Sequence, residues 1–244
     1  MTLTHDFDAM FSGIIGQEYR MLKLICPFAV EMSRLVGSEV AESCQDAPEI
    51  LKVVELGGGT GITTLAILSA SDYLCVQSID NEPTMQDQAK QHLKGWVDAG
   101  RLTFCGDDAL SALRKLADNS VNIVASAYTL HNFEGGYREQ VIKECFRVLK
   151  PEGRFINGDR YALDNIDRHT RNIQQEVGGY FKVLTEIDRL DLLEQWIIHV
   201  LNDESENHIM RESLALRQLS NAGFQQVKVK SRQDVNALVT AVKC

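Results

Sequence analysis

The sequence has no CxxC pair and no HxxxH pair, although it holds six cysteines and six histidines in 244 residues. Cys26, Cys44, Cys75, Cys105, Cys145 and Cys244 lie far apart. A disulfide framework or a zinc site needs clustered spacing, so the cysteines read as reduced thiols and no metal is expected. Basic charge is short: Lys plus Arg number 25 against 34 for Asp plus Glu, a formal charge of −9. A nucleic-acid binder presents a basic face, so that class of partner is not expected. No apolar run approaches the roughly 20 residues that span a bilayer. Met1-Thr2-Leu3-Thr4-His5-Asp6 is not the basic start of a secretory signal. A cytoplasmic protein with no membrane partner is expected. No internal repeat or low-complexity tract is present.

What is there is an ordinary globular composition, 44% hydrophobic and 24% charged, long enough for one large domain with a sizeable core. Residues 7–40 have apolar positions at helical spacing, with Pro27 either dividing two helices or opening the second. Ser43 to Pro48 is a polar linker. From Ile50 the pattern changes. Short apolar runs at Leu51–Leu56, Tyr73–Ile79, Leu102–Cys105, Val121–Ser126 and Arg154–Asn157 alternate with amphipathic segments at Ile62–Ala70, Thr84–Trp96, Ala109–Leu116 and Tyr137–Leu149. Such alternation predicts a parallel sheet covered on both faces. After Tyr161 the alternation stops, and helices interrupted at Gly178-Gly179 are expected to about Leu219. Phe224–Val229 and Ala237–Val242 then read as two strands, an antiparallel pair at the sheet edge. The fold expected is α/β, a doubly wound and mostly parallel seven-stranded sheet in one domain. Its parts are a helical cap (1–47), a core (48–160), a helical lid insert (161–219) and a terminal strand pair (220–244).

The most informative segment is Val53-Val54-Glu55-Leu56-Gly57-Gly58-Gly59-Thr60-Gly61. A buried strand ends in an acidic residue, enters a glycine-rich turn and leads into a helix. Glycines tolerate positive φ and admit a ligand close to the backbone, and the carboxyl end of a central strand is where open α/β sheets bind ligands. The glycines at 57, 59 and 61 give GxGxG, with Ile62 where a dinucleotide fingerprint has its third glycine. Glu55, just before the turn, would repel a pyrophosphate but accept from an ammonium group. About 20 residues on, Asp80 ends the second strand, where a carboxylate commonly takes ribose hydroxyls. Asp107 and Asp108 end the third strand, where one carboxylate can accept from an adenine amino group. The plain alternative is that such an Asp caps the next helix.

These features resemble the class I S-adenosylmethionine-dependent methyltransferases, over roughly Ile50 to Asp159. The likeness extends through Val121–Phe133 (VNIVASAYTLHNF) and Glu144–Phe155 (ECFRVLKPEGRF). It implies that Glu55 faces the amino group of the methionine moiety, while Gly57, Gly59 and Gly61 make room for its backbone. Asp80 would bind the ribose, with Asn81 and Met85 beside the adenosine. Asp107 would take the adenine amino group, with Asp108 next to it, and Ala127 and Tyr128 would lie near the sulfonium. The flanks, with Met10–Tyr19, Gly179-Tyr180 and Ala222-Gly223-Phe224, are similar to the carboxy-S-adenosylmethionine synthases and their small-molecule methyltransferase relatives. That layout puts Tyr19 over the cofactor. Arg211 is the nearest candidate for the arginine that would clamp an extra carboxylate, and Gly158-Asp159-Arg160 stands where that subgroup has Ser-Glu-Lys.

Methyl transfer needs alignment above all, and a base only where the acceptor must lose a proton. Tyr128, His131, Asn132 and Tyr180 are the candidate catalytic residues, with Asp159 and Arg160 nearby. His131 reads as a base or as a packed cap, Asn132 as a substrate anchor or a turn residue. Tyr128 and Tyr180 read as π-faces for the sulfonium or as packing. Trp96 and Trp196 read as helix packing. The leading expectation is transfer to a small-molecule acceptor, with S-adenosylhomocysteine as product and a homodimer through cap or lid. The residues leave open cyclisation of S-adenosylmethionine to azetidine-2-carboxylic acid with methylthioadenosine release, carboxy-S-adenosylmethionine synthesis, a nicotinamide oxidoreductase and a non-catalytic binding module.

Overall fold

The structure is a computed structural model that describes residues 26–44 and 49–244. Tyr19, the Met10–Tyr19 segment and most of the linker lie outside the described residues. Seven strands form one sheet: β1 (Leu51–Leu56), β2 (Leu74–Ile79), β3 (Leu102–Cys105), β4 (Val121–Ala127), β5 (Leu149–Arg160), β6 (Gln225–Gln233) and β7 (Asn236–Val242). Their order is β3-β2-β1-β4-β5-β7-β6. The first five run parallel, β7 runs antiparallel to β5, and β6 runs antiparallel to β7. The helices are α1 (Pro27–Cys44), α2 (Ile62–Leu68), α3 (Pro83–His92), α4 (Lys94–Asp98), α5 (Ala109–Arg114), α6 (Gly135–Val148), α7 (Ile166–Glu186), α8 (Leu190–Asp203) and α9 (Glu212–Ala222).

Successive strand residues point to opposite faces, so an apolar run in a central strand supplies two cores at once. Val54, Leu56 and Val124 enter the layer packed with α5, α6 and α9. Val53, Ile123 and Ala125 enter the opposite layer with α1 and α2. Each Val, Leu or Ile among them contributes about 1.5–3 kcal/mol through burial, which makes the register of β1 and β4 strongly specified. No helix among the described residues is long and apolar enough to cross a membrane.

Pro27 opens α1, a position that needs no backbone N–H. A Cβ at Gly37 would sit 2.9 Å from Ala66 O, so α1 and α2 cross in close contact. Ser33 Oγ and Thr63 Oγ1 bond across that crossing at 2.8 Å. Above the carboxyl ends of the strands, α7 and α8 share a small core of their own, with Tyr180, Leu184, Leu193 and Val200 buried and Trp196 packed against them. Arg160, the last residue of β5, pairs in bidentate fashion with Glu176 of α7 (2.6 and 3.1 Å) and ties the insert to the sheet.

Several boundaries differ from the sequence reading. The helix α7 runs unbroken through Gly178-Gly179; two glycines cost it roughly 2 kcal/mol, which the Asn165 cap and the buried Tyr180–Leu184 face offset. The segment at 84–96 is two helices that meet at Leu93. Pairing of Glu152 N–H with Lys243 O (2.6 Å) and of Val121 with Leu149 extends β5 beyond Arg154–Asn157. Likewise β6 runs to Gln233, because its pairing with β7 continues down to the turn at Asp234.

Candidate active site

The strand order reverses between β1 and β4, and at such a switch point the connections leave the sheet in opposite directions and open a crevice. The carboxyl ends of β1 to β5 deliver Gly57, Asp80, Asp107, Tyr128 and Arg160 to this one edge. Gly59 adopts φ +52°, where an added Cβ would find only Met85 Sδ, 4.0 Å away. The turn therefore leaves open space between Gly59 and Met85, which a side chain at 59 would fill. Gly61 serves packing instead: a Cβ there would meet Leu93 Cδ1 at 2.8 Å, and Gly61 lines neither of the two cavities described next.

One cavity, about 590 Å³, is a groove lined by Gly57, Gly59, Asp80, Asn81, Met85 and Asp107, with Asp108 and Tyr137 on its wall. Asp80 Oδ2 accepts from Gly59 N (2.7 Å) and Oδ1 from Glu82 N (2.8 Å), so the carboxylate shapes the turn while retaining lone pairs for a ligand. Gln86 Nε2 donates to Asp80 O (3.0 Å) and Cys105 O (2.9 Å), locking the ends of β2 and β3 together. Asp107 accepts from Lys115 (2.6 Å), which with Cys105 holds its carboxyl below the usual range. Asp108 caps α5 by accepting from Ser111 N (3.0 Å) and also takes the Tyr137 hydroxyl (2.8 Å). Those bonds hold it down at about 2. The capping alternative for Asp108 is thus realised, on the groove wall.

Glu55 is placed differently from the expectation. It is fully buried beneath the glycine turn, accepts from Thr64 Oγ1 (2.6 Å) and lines neither cavity. Burial pushes its carboxyl up to about 7, against the bonds from Thr64 and Ser78. Oε1 has no partner among the described residues. A strand residue in the position before the turn points down into the packed layers, which spacing alone does not reveal.

The second cavity, about 300 Å³, shares Gly59, Met85, Tyr128 and Asn132 with the groove, so the two form one continuous site. Ala127, Tyr128, His131, Asn132, Arg160 and Tyr180 line this chamber, as do Cys26 and Ser33 of the α1 end and Trp196, His199 and Asp203 of α8. Tyr128 stands at the junction with φ +51°, its hydroxyl donating to Asn236 Oδ1 and its backbone N–H to Gly158 O (3.0 Å). Burial pushes its phenol well above the ordinary value, so it stays protonated. Asn132 Nδ2 donates to Tyr128 O (3.2 Å), and Tyr180 donates to Glu176.

His131 occupies a single 3₁₀ turn (Leu130–Asn132) after β4 and is 4% exposed. Its Nδ1 lies 2.6 Å from Asp159 Oδ1, while its Nε2 has no hydrogen-bond partner among the described residues. Burial pushes the Asp159 carboxyl up, but His131, Arg160 N–H (2.8 Å) and Asn157 outweigh it and hold it below its usual value. A charged Asp159 is acceptor only, so Nδ1 carries a ring proton toward it and Nε2 is the nitrogen left facing the chamber. Burial drives Asp203 up and His199 down. Trp196 packs between the helices as its spacing implies and also lines the chamber, whereas His199, Asp203 and Glu176 belong to no motif of the sequence. The signal for His199 and Asp203 was their i, i+4 spacing, which stacks both on one helical face. Arg211, the proposed carboxylate clamp, instead donates to Leu163 O (2.7 Å) and lines neither cavity.

A family model described as a methyltransferase domain matches residues 53–153. An uncharacterized methyltransferase of Oceanobacillus iheyensis is 32% identical over 122 residues, 50% of this chain and 50% of its own, so the match spans about half of that relative. A carboxy-S-adenosyl-L-methionine synthase of Nautilia profundicola is 23% identical over 79% of this chain and 77% of its own. Among solved structures, an O-methyltransferase family protein from Burkholderia thailandensis superposes with a TM-score of 0.62 at 19% identity, covering 88% of this chain and 57% of that one. The glycine turn and the acidic strand ends described above fall within residues 53–153, and S-adenosylmethionine is the cofactor that the matched family implies. Residues 53–153 are thus similar to class I S-adenosylmethionine-dependent methyltransferase domains, and the chain spans about half the length of the first curated relatives it matches.

Proposed function

We propose that the protein transfers the methyl group of S-adenosylmethionine to a small-molecule acceptor through an oxygen or nitrogen that must lose a proton. The observation that carries this reading is the Asp159–His131 pair at 2.6 Å, with an unpartnered Nε2 in a chamber continuous with the nucleoside groove. The residues present fit the cofactor: Asp80 and Asp107 offer acceptors to the ribose and adenine, and the positive-φ turn at Gly59 leaves room for the chain between them. S-adenosylmethionine, when bound, supplies the electrophilic methyl carbon and the thioether leaving group.

The chain's own residues supply the rest. Asp159 fixes the ring and stabilises the imidazolium, so that Nε2 takes the acceptor proton as the new bond to carbon forms. Tyr128, Tyr180 and Trp196 give the chamber aromatic walls, which suit a planar acceptor and attract a cation by their faces. The pair α7 and α8 acts as a lid whose closure keeps water from the reacting atoms. Exposed Phe181, Ile198 and Leu201 on that pair support a homodimer through the lid, and the acidic composition supports neither nucleic acid nor an anionic surface as partner. A cytoplasmic setting agrees with the spaced cysteines.

The test is product analysis. Incubated with S-adenosylmethionine and a panel of hydroxylated and amino acceptors, the protein should form S-adenosylhomocysteine only when an acceptor is present. Methylthioadenosine formed without any acceptor would replace this reading with intramolecular cyclisation. A carboxylated cofactor product would replace it with carboxy-S-adenosylmethionine synthesis.

A further inference from the structure

Two buried polar atoms in the acceptor chamber have no hydrogen-bond partner among the described residues: His131 Nε2 and Asp203 Oδ1. Their side chains are each 5% exposed. Native proteins rarely leave such atoms unpaired, because each costs about 1–3 kcal/mol, so something that binds in the chamber is expected to satisfy them. Beside them stands His199, whose Nε2 lies 3.5 Å from Asp203 Oδ2, while His131 Nε2 lies 3.7 Å from the same oxygen. One ligating atom from each of the three residues falls within 4.8 Å of the others. The two imidazole rings meet nearly at right angles, with centroids 6.2 Å apart.

We propose that His131, His199 and Asp203 bind a divalent transition-metal ion of the zinc class in the wall of the acceptor chamber. Two imidazoles and one carboxylate are a donor set that such ions favour, leaving at least one coordination position for a substrate or water. Ligands about 2.0–2.1 Å from zinc stand about 3.3 Å apart, so the observed spacings of 3.5 and 3.7 Å already approach the bound geometry. The widest spacing closes by turning the His199 ring, which is nearly half exposed and free to move. The outer contacts also match. His131 donates its other ring N–H to a buried carboxylate, an arrangement that fixes the tautomer and raises the basicity of the coordinating nitrogen.

Charge balance points the same way. Asp203, Glu176 and Glu204 gather around the guanidinium of Arg160, which is committed to Glu176 and lies 3.8 Å from Asp203 and 3.9 Å from Glu204. His169 adds a partner to Glu204 at 2.6 Å. A dication reduces this excess of negative charge. Metal on Nε2 takes the lone pair assigned above to proton acceptance, so a loaded site holds the acceptor atom at the ion instead, and His131 is required in both states. The proposal shares the chamber with the methyl-transfer reading, yet metal affinity is measured without any reaction.

The experiment uses the full chain without a histidine tag, stripped with a chelator and titrated with Zn²⁺ by calorimetry, with Co²⁺ absorption reporting the ligand field. One equivalent of Zn²⁺ should bind at micromolar or tighter affinity. His199→Ala, at a half-exposed position where the fold is not at risk, and Asp203→Asn should each weaken it at least ~100-fold, and Asp159→Asn roughly 10- to 100-fold. Absence of a stoichiometric site overturns the proposal. So does affinity within about threefold of wild type in the His199→Ala, Asp203→Asn double variant, which would mark adventitious binding at other histidines. S-adenosylmethionine affinity measured on the same samples separates the two readings: a wild-type chain that binds the cofactor but no stoichiometric Zn²⁺ overturns this proposal alone.

Discussion

Removing the Asp80 carboxylate should abolish cofactor binding without unfolding the protein. Asp80 lies just past the end of β2 and is only partly buried, so Asp80→Ala opens no core cavity. Two consequences follow from its bonds. Gly59 N–H and Glu82 N–H lose their acceptors at 2.7 and 2.8 Å, which loosens the turn on one side of the groove and the start of α3 on the other. The ribose also loses two charge-assisted hydrogen bonds, each about 1.5–3 kcal/mol, or about 3–6 kcal/mol together. That is a roughly 150- to 25,000-fold loss of affinity for S-adenosylmethionine. Calorimetric titration with S-adenosylhomocysteine reads the affinity, and a thermal melt reads the fold. Asp80→Asn, which keeps one acceptor oxygen, should fall between alanine and wild type. An Asp80→Ala protein with native melting and affinity within about threefold of wild type would refute the assignment of the ribose to this carboxylate.

Three further outcomes are expected. Gly59→Val places a β-branched residue at φ +52° with its side chain toward Met85, so calorimetry should find no cofactor binding while the melt shifts by only the ~1–2 kcal/mol of left-handed strain; retained affinity would mean the turn does not face the ligand. His131→Ala should lower kcat roughly 100- to 10,000-fold at neutral pH, with cofactor affinity unchanged and partial recovery at high pH as the acceptor ionises unaided; a rate near wild type would remove the base assignment. Glu55 has a folded pKa near 7, above its unfolded value, so its contribution to stability is full below about pH 4.5 and declines as pH rises through 7. In denaturant titrations Glu55→Gln should therefore gain on wild type from pH 5 to 8 by an amount on the order of 3 kcal/mol, whereas a difference independent of pH would show that Glu55 titrates normally.

The sheet was legible because its signal is local. The apolar runs at Leu51–Leu56 and Leu102–Cys105 coincide with β1 and β3, and the glycine turn and Asp80 fix the groove from short-range pattern. The antiparallel edge pair also followed from two terminal apolar runs. What local pattern hides is what tertiary packing decides. Helical propensity argues against Gly178-Gly179 inside a helix, yet packing of Tyr180 and Leu184 against α8 carries α7 through both. Spacing put Glu55 beside the ligand, but the pleat turns it inward under the turn. Gly61 is small to admit Leu93, and Arg211 is turned to a carbonyl. His131 follows β4, Asp159 lies near the end of β5 and Asp203 on a distant helix, so their convergence depends on how the insert folds back over the sheet edge.

The most direct measurement is an experimental structure of the protein with S-adenosylhomocysteine. The adenosine should lie in the groove between Met85 and Asp107 with its ribose on Asp80, and the sulfur should reach the Tyr128 junction and face His131 across the chamber. A nucleoside bound elsewhere, or a sulfur turned away from that chamber, would contradict the site described here.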